Sequence, residues 1–262
     1  MMNPGDLNAS ARWRIACFYY HGLRDIGASV MVGGIARKIT VRFFIGLFFL
    51  MILHPGNLLG ESQNSGPVVS FRIFLTQKGC QLAVWLTDEA GAFIDTVYVT
   101  RKTGRKGLGN RGGELDDHWG GSRLSVLPVW AHQRGIDDGS GNYYPSKAKP
   151  LVDAVSSATP KAGQFVWNWQ PGRMLKPGRY DYYIEVNKSF DKNEYHDYSW
   201  YRGQPSVIWR GQLQIGDQIS QGKAEIIGHG HIAGADGWID ADLSTLTTAL
   251  GLIQKAEAVY RP

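Results

Sequence analysis

The residues best able to do chemistry lie in separate places, and each spacing suggests a different task. His229-Gly230-His231 sets two imidazoles two positions apart. On an extended chain such a pair shares one face, a spacing that a metal ion accepts. No third ligand is adjacent, and His118, His132 and His196 reach the pair only through the fold, so turn histidines flanked by glycine are the plainer reading. Asp137-Asp138-Gly139-Ser140-Gly141-Asn142 has the oxygen-rich look of a calcium loop but lacks the closing bidentate glutamate, and reads as a turn. Gly107-Leu108-Gly109-Asn110-Arg111-Gly112 matches G-x-G-x-x-G, yet no helix pattern follows it, and a dinucleotide needs a helix N-terminus there. Arg101, Lys102, Arg105, Lys106 and Arg111 among those glycines offer a phosphate cations and backbone N–H groups, but a solvated loop is the plainer reading. Cys80 borders an alternating strand and reads as a buried thiol rather than a nucleophile. The chain has no G-x-S-x-G elbow and no H-E-x-x-H pair, so nothing points to hydrolysis. An electron carrier or a binding module fits better than an enzyme.

The elements that must position these residues alternate with period two. In Val68–Thr76, Val69, Phe71, Ile73 and Leu75 share a face, with Ser70 and Arg72 opposite. Gln81–Thr87 and Phe93–Thr100 flank Asp88-Glu89-Ala90-Gly91, a hairpin turn with glycine available for positive φ. Phe165, Trp167 and Trp169 alternate in the next strand. Lys176-Pro177-Gly178 has Pro then Gly as a type II turn requires, and leads into Arg179–Asn187 with Tyr180, Tyr182, Ile184 and Val186 on one face. Ser206–Ile215 alternates again, and Ala224–Gly228 and Ala256–Tyr260 are shorter strands. One helical piece is expected, Leu243–Gln254, with Asp242 as its N-cap. Strands punctuated by turns predict an all-β fold, an antiparallel sandwich with little helix. The polar, glycine-rich stretch 102–161 is a long loop insertion, expected to carry some structure and the functional surface.

The front of the chain has a different character. Arg37, Lys38 and Arg42 precede Phe43–Leu53, which has no polar side chain; His54-Pro55-Gly56-Asn57 then breaks the helix, and Leu58-Leu59-Gly60 follows. That is the order of a secretory signal, and its apolar run rises roughly 16 Å, about half the hydrocarbon thickness of a bilayer. Leu58 stands where a small residue is preferred at the cut, so an uncleaved anchor is the alternative, and membrane contact is expected only through that leader. Met31 begins a leader of ordinary length, so residues 1–30 read as over-translated, 31–60 as signal peptide and 61–262 as one periplasmic or otherwise extracytoplasmic domain. The net charge of +5 belongs mainly to the leader, since 22 of the 28 basic and 21 of the 23 acidic residues follow Gly60. Composition therefore gives no support for a nucleic-acid partner. With Cys17 in the leader, Cys80 is the only cysteine of the mature part, which excludes an intramolecular disulfide there.

Asp153-Ala154-Val155-Ser156-Ser157-Ala158-Thr159-Pro160 resembles the flavinylation consensus Asp-x-x-Ser/Thr-Gly/Ser-Ala-Thr. There a flavin transferase joins FMN to the final threonine through a phosphoester. The resemblance implies Thr159 as acceptor hydroxyl, Ser156, Ser157 and Ala158 as neighbours small enough for the transferase to approach, and Asp153 as the nearby carboxylate. Ser157 stands where glycine is commoner. The wider stretch Asp153–Asn187, with Pro205-Ser206-Val207-Ile208-Trp209 and Asp242–Ala249, resembles a bacterial family known as domain of unknown function 2271. That likeness implies an Ig- or fibronectin-like sandwich, export, and association with flavin transferases and membrane redox proteins. The expected function is to carry or support extracytoplasmic electron transfer with covalent FMN at Thr159, with Trp119, Trp130 and Trp167 as stacking candidates. The competing reading is a non-catalytic Ig-like binding or scaffold domain.

Overall fold

The computed structural model describes residues 66–106, 123–146, 149–151, 156–197 and 203–262. The leader, the G-x-G-x-x-G loop, His118, Trp119 and Asp153 lie outside the described residues. Everything described belongs to one compact unit, Leu59–Pro262.

Among the described residues, ten strands build two sheets: β1 (Val68–Leu75), β2 (Gln81–Asp88), β3 (Phe93–Thr100), β4 (Ser156–Ser157), β5 (Gly163–Trp169), β6 (Gly178–Asn187), β7 (Val207–Ile215), β8 (Ser220–Lys223), β9 (Glu225–His229) and β10 (Ile253–Arg261). The orders are β5-β1-β10-β8 and β4-β3-β2-β6-β7-β9. Every pairing is antiparallel except the two-residue contact of β3 with β4. The expected all-β sandwich with a long insertion and little helix is what forms.

The facing sheets enclose the main core. Val69, Phe71, Ile73 and Leu75 of β1 meet Tyr180, Tyr182, Ile184 and Val186 of β6, the alternating sets that the sequence displays. Phe71 and Tyr182 meet edge to face at 5.6 Å, an arrangement adding about 1 kcal/mol beyond burial. Close packing sets Gly211 here, because a Cβ at that position would lie 2.3 Å from the Tyr182 ring.

A second core lies on the outer face of the six-stranded sheet. Ala83, Trp85, Val99 and Ile208 point outward there and are covered by Val126, Leu127, Val129, Trp130, Ala131 and Tyr144 of the insertion. With both faces covered, β2 is buried from Gln81 to Thr87 and loses the polar alternation of a one-sided strand. Among its described residues the insertion carries two short helices, α1 (Arg101–Lys106) and α2 (Pro128–Gln133). Its residues 123–146 form a lid with hydrophobic contacts of their own.

Two local expectations are corrected. Leu243–Gln254 is not an α-helix: a single 3-10 turn spans Thr248–Gly251, and β10 begins at Ile253. Thr247 and Thr248 are β-branched, and the Asp242 carboxylate accepts the Ser244 N–H at 2.9 Å, closing a turn two residues on instead of capping a helix. Gly178 has φ 154°, far from the value near 80° of a type II turn, and already opens β6.

Candidate functional site

Thr159 sits in the crossover between the sheets. β4 runs beside the C-terminal end of β3, Val99 opposite Ser156 and Thr100 opposite Ser157. The chain then leaves this sheet and enters β5, on the edge of the other, at Gly163 with φ 105°. The crossover therefore spans the open side of the sandwich in five residues, 158–162.

Each residue of the motif has a distinct setting. Ser156 is buried, Ser157 and Thr159 are partly exposed, Ala158 is exposed and Pro160 is buried. Pro160 thus anchors the crossover while the threonine before it stays open to solvent. Ser156 lies against Gly104 of α1, where a Cβ would come within 3.2 Å of the Ser156 Cβ and 2.6 Å of Val99. Its hydroxyl has no hydrogen-bond partner among the described residues, so Ser156 is a packing residue of the lid and does not face outward with Thr159. The Ala158 carbonyl accepts the Tyr98 phenol at 2.8 Å. Burial pushes that phenol far above its ordinary range, so it remains a donor at every ordinary pH.

Tyr98 also centres an aromatic trio. Its ring lies 4.8 Å from Phe165 and 5.1 Å from Trp167, and the Trp167 indole donates to the Val97 carbonyl at 3.0 Å. Phe165 and Trp167 are partly exposed, so this trio closes the side of the sandwich directly under the crossover. Of the two described stacking candidates only Trp167 packs against Tyr98, whose phenol donates to the Ala158 carbonyl beside Thr159. Trp130 is wholly buried under the lid, with its indole donating to Thr96 at 3.1 Å.

A second site was only half legible. His196, His229, His231, Asp236, Trp238 and Asp240 line one cavity of about 520 Å³ with Pro205, Ile232, Ile239 and Ala241. The fold brings His196 to the His229–His231 pair and leaves His132 on α2, where its Nδ1–H donates to Pro128 at 2.9 Å. His229 closes β9 and bridges to Asp240; their backbone groups bond in both directions at 2.8 and 2.9 Å. The His229 Nδ1–H donates to the Gly230 carbonyl at 2.9 Å, which leaves Nε2 as the open nitrogen, 3.9 Å from an Asp240 oxygen. His231 has the opposite tautomer, because its Nδ1 accepts Ala233 N–H at 3.2 Å and Ala235 N–H at 3.1 Å, so Nε2 carries the proton. Burial, and then the proximity of His229, holds His196 below the usual imidazole range. The alternation Asp236-x-Trp238-x-Asp240 is the sequence signal for these wall residues.

Glycines press this segment onto the lid. A Cβ on Gly230 would meet Ser206 Oγ at 2.6 Å and Pro128 at 2.8 Å, and one on Gly237 would meet His132 at 2.5 Å. That explains His-Gly-His: the glycine gives close approach while the imidazoles point elsewhere. Among the described residues, no group of three or more His, Cys, Asp or Glu is arranged to hold a metal ion. The Asp138 turn is satisfied internally, accepting from Ser140 N–H at 2.9 Å, Ser140 Oγ at 2.6 Å and Asn142 at 3.2 Å. Those bonds pull the Asp138 carboxyl down to about 2.

Cys80 is a buried free thiol, and burial raises its pKa to about 11, which removes the thiolate that nucleophilic chemistry needs. Comparison with protein-family models, curated proteins and solved structures finds no match to the chain.

Proposed function

We propose that this chain is an exported carrier of flavin-based electron transfer, with FMN attached covalently at Thr159. The observation that supports this best is the crossover itself. It presents a partly exposed threonine hydroxyl between an exposed alanine and a buried proline, tethered by Tyr98 above an aromatic trio. A hydroxyl acceptor needs approach from solvent, and an isoalloxazine held next to it needs a flat apolar neighbour. Phe165 and Trp167 supply that neighbour, and the fixed Ala158 carbonyl restricts the arc through which the attached group swings.

The attachment reaction balances with FAD as donor. The Thr159 oxygen attacks the flavin-side phosphorus and its proton leaves to a base. The anhydride P–O bond breaks and AMP departs with that electron pair. Free FMN has no comparable leaving group. The transferase supplies the base and a divalent cation, and the carrier supplies the acceptor. Asp153 is the carboxylate that would help the transferase engage, and electrons then pass to or from a membrane redox protein.

Co-expression with an exported flavin transferase, FAD and Mg²⁺ tests the assignment by intact mass. The wild-type chain gains one FMN adduct. Thr159→Val loses it, because valine keeps the branched shape and removes the only atom able to form the ester. Ser156→Ala keeps it, and Asp153→Asn gains it more slowly. An unmodified wild-type mass with a transferase active on its own substrate sinks the flavin reading. That outcome leaves the binding module as the better reading, favoured by the histidine- and tryptophan-lined cavity.

A further inference from the structure

We propose that the cavity at the end of β9 is a binding site for a neutral saccharide unit, with Trp238 as its stacking platform and Asp236, Asp240, His229 and His231 as its hydroxyl readers. The site is independent of the flavin. Thr159 follows β4, whereas the cavity lies beyond β9, at opposite edges of the six-stranded sheet. Five strand spacings separate those edges, about 24 Å.

The residues narrow the ligand class. A cavity of about 520 Å³ has the size of a small-molecule site, too roomy for a single ion. The ion reading is further weakened because no metal-holding group is found among the described residues. Trp238 is 80 % exposed, and a large indole facing solvent beside a cavity is a ready platform for the flat C–H face of a pyranose ring.

The polar groups then form a mixed set. One oxygen of Asp236 accepts the Trp238 N–H at 3.1 Å and one oxygen of Asp240 accepts the Asp242 N–H at 2.9 Å. Each carboxylate thus has its direction fixed by the backbone and a second oxygen to offer. The backbone also fixes His231 Nε2 as a donor and His229 Nε2 as an acceptor. A hydroxyl both donates and accepts, so a polyol uses every one of these groups. A strongly anionic ligand would meet two carboxylates, and a cation would meet the His231 Nε2–H donor. A neutral, polyhydroxylated ring matches indole, acceptors and donor together.

Titration calorimetry of the full chain at neutral pH tests this, with cellotetraose, maltotetraose, chitotetraose, glucose and N-acetylglucosamine as probes, and choline and inorganic phosphate as charged controls. At least one neutral sugar is expected to bind, and its affinity should fall at least tenfold in Trp238→Ala. Asp240→Asn is a second variant that keeps the turn acceptor and removes the charge, and it should weaken the same sugar severalfold at an unchanged melting temperature. A tetraose binding far better than the monosaccharides identifies a glycan chain as the source, and equal binding identifies a free sugar. Thr159→Val should bind as the wild type does, so loss of the flavin assignment leaves this result standing. The proposal is overturned if none of the five sugars binds, if choline or phosphate binds more tightly than any of them, or if binding survives Trp238→Ala.

Discussion

At the scale of single residues, the decisive quantities are burial and close approach. Cys80 is buried with its thiol pushed up to about 11, so at pH 8 it should resist a small alkylating reagent for as long as the chain stays folded. Reductant should leave the melting temperature unchanged, and a fall of several degrees would reveal an intermolecular disulfide. Gly234 has φ 71°, and a Cβ there would lie 1.9 Å from the Leu124 carbonyl oxygen. Gly234→Ala therefore combines a strained backbone with a backbone clash, and should cost roughly 3 kcal/mol in a denaturation midpoint experiment. Gly251 is the control: nothing lies within 4 Å of where a Cβ would sit, so Gly251→Ala should move stability by less than about 0.5 kcal/mol. Equal losses in the two variants would refute this account of how the 228–237 segment is seated.

Among the elements, α2 shows how distant parts of the chain complete one another. Its N-cap position is Leu127, which offers no side-chain acceptor, and the helix opens at Pro128. The missing acceptor comes from β6: Glu185 accepts the Val129 N–H at 3.2 Å, the Trp130 N–H at 2.7 Å and the Ser206 hydroxyl at 2.6 Å. Burial raises this carboxyl from 4.5 to about 7. The folded chain then holds the proton more tightly than the unfolded one. Its contribution is greatest below pH 4.5 and is lost as pH rises to about 7. The loss is on the order of 3 kcal/mol. Calorimetry should show stability falling across that window in the wild type and a flatter profile in Glu185→Gln; parallel profiles would rule the carboxyl out. The same helix marks the limit of what the sequence discloses. Strands β1, β6 and β7 are legible because one inward face repeats every second residue, and β3 because the Asp88–Gly91 turn sets it off from β2. By contrast α2 takes its capping acceptor from 55 residues away, and the polar edge strand β8 is held by its pairing with β10 and by the Tyr182 phenol on the Gly222 carbonyl. At the candidate sites, Thr159 is legible as a motif, whereas its aromatic neighbours come from two strands of different sheets. His229 and His231 are legible as a pair; His196 arrives from the loop after β6.

For the whole molecule, the order of Arg37–Gly60 predicts a mature N-terminus within a few residues of Glu61, to be checked by N-terminal sequencing of native protein. A terminus at Met1 or Met31 would exclude cleavage, and recovery from the cytoplasm would exclude export. Within the domain, the six-stranded sheet is a wall shared by two cores, one between the sheets and one beneath the lid. Shared walls divide cooperativity. The lid can lift by breaking the Glu185 bonds and the Trp130–Thr96 bond and exposing Trp85 and Trp130, while the facing sheets keep their own contacts. Amides of 126–131 should then exchange with deuterium through a subglobal opening of lower free energy than the one that releases β2 and β6. If the lid opens as a separate foldon, the wall behind the histidine cavity, pressed onto it through Gly230 and Gly237, should exchange with it.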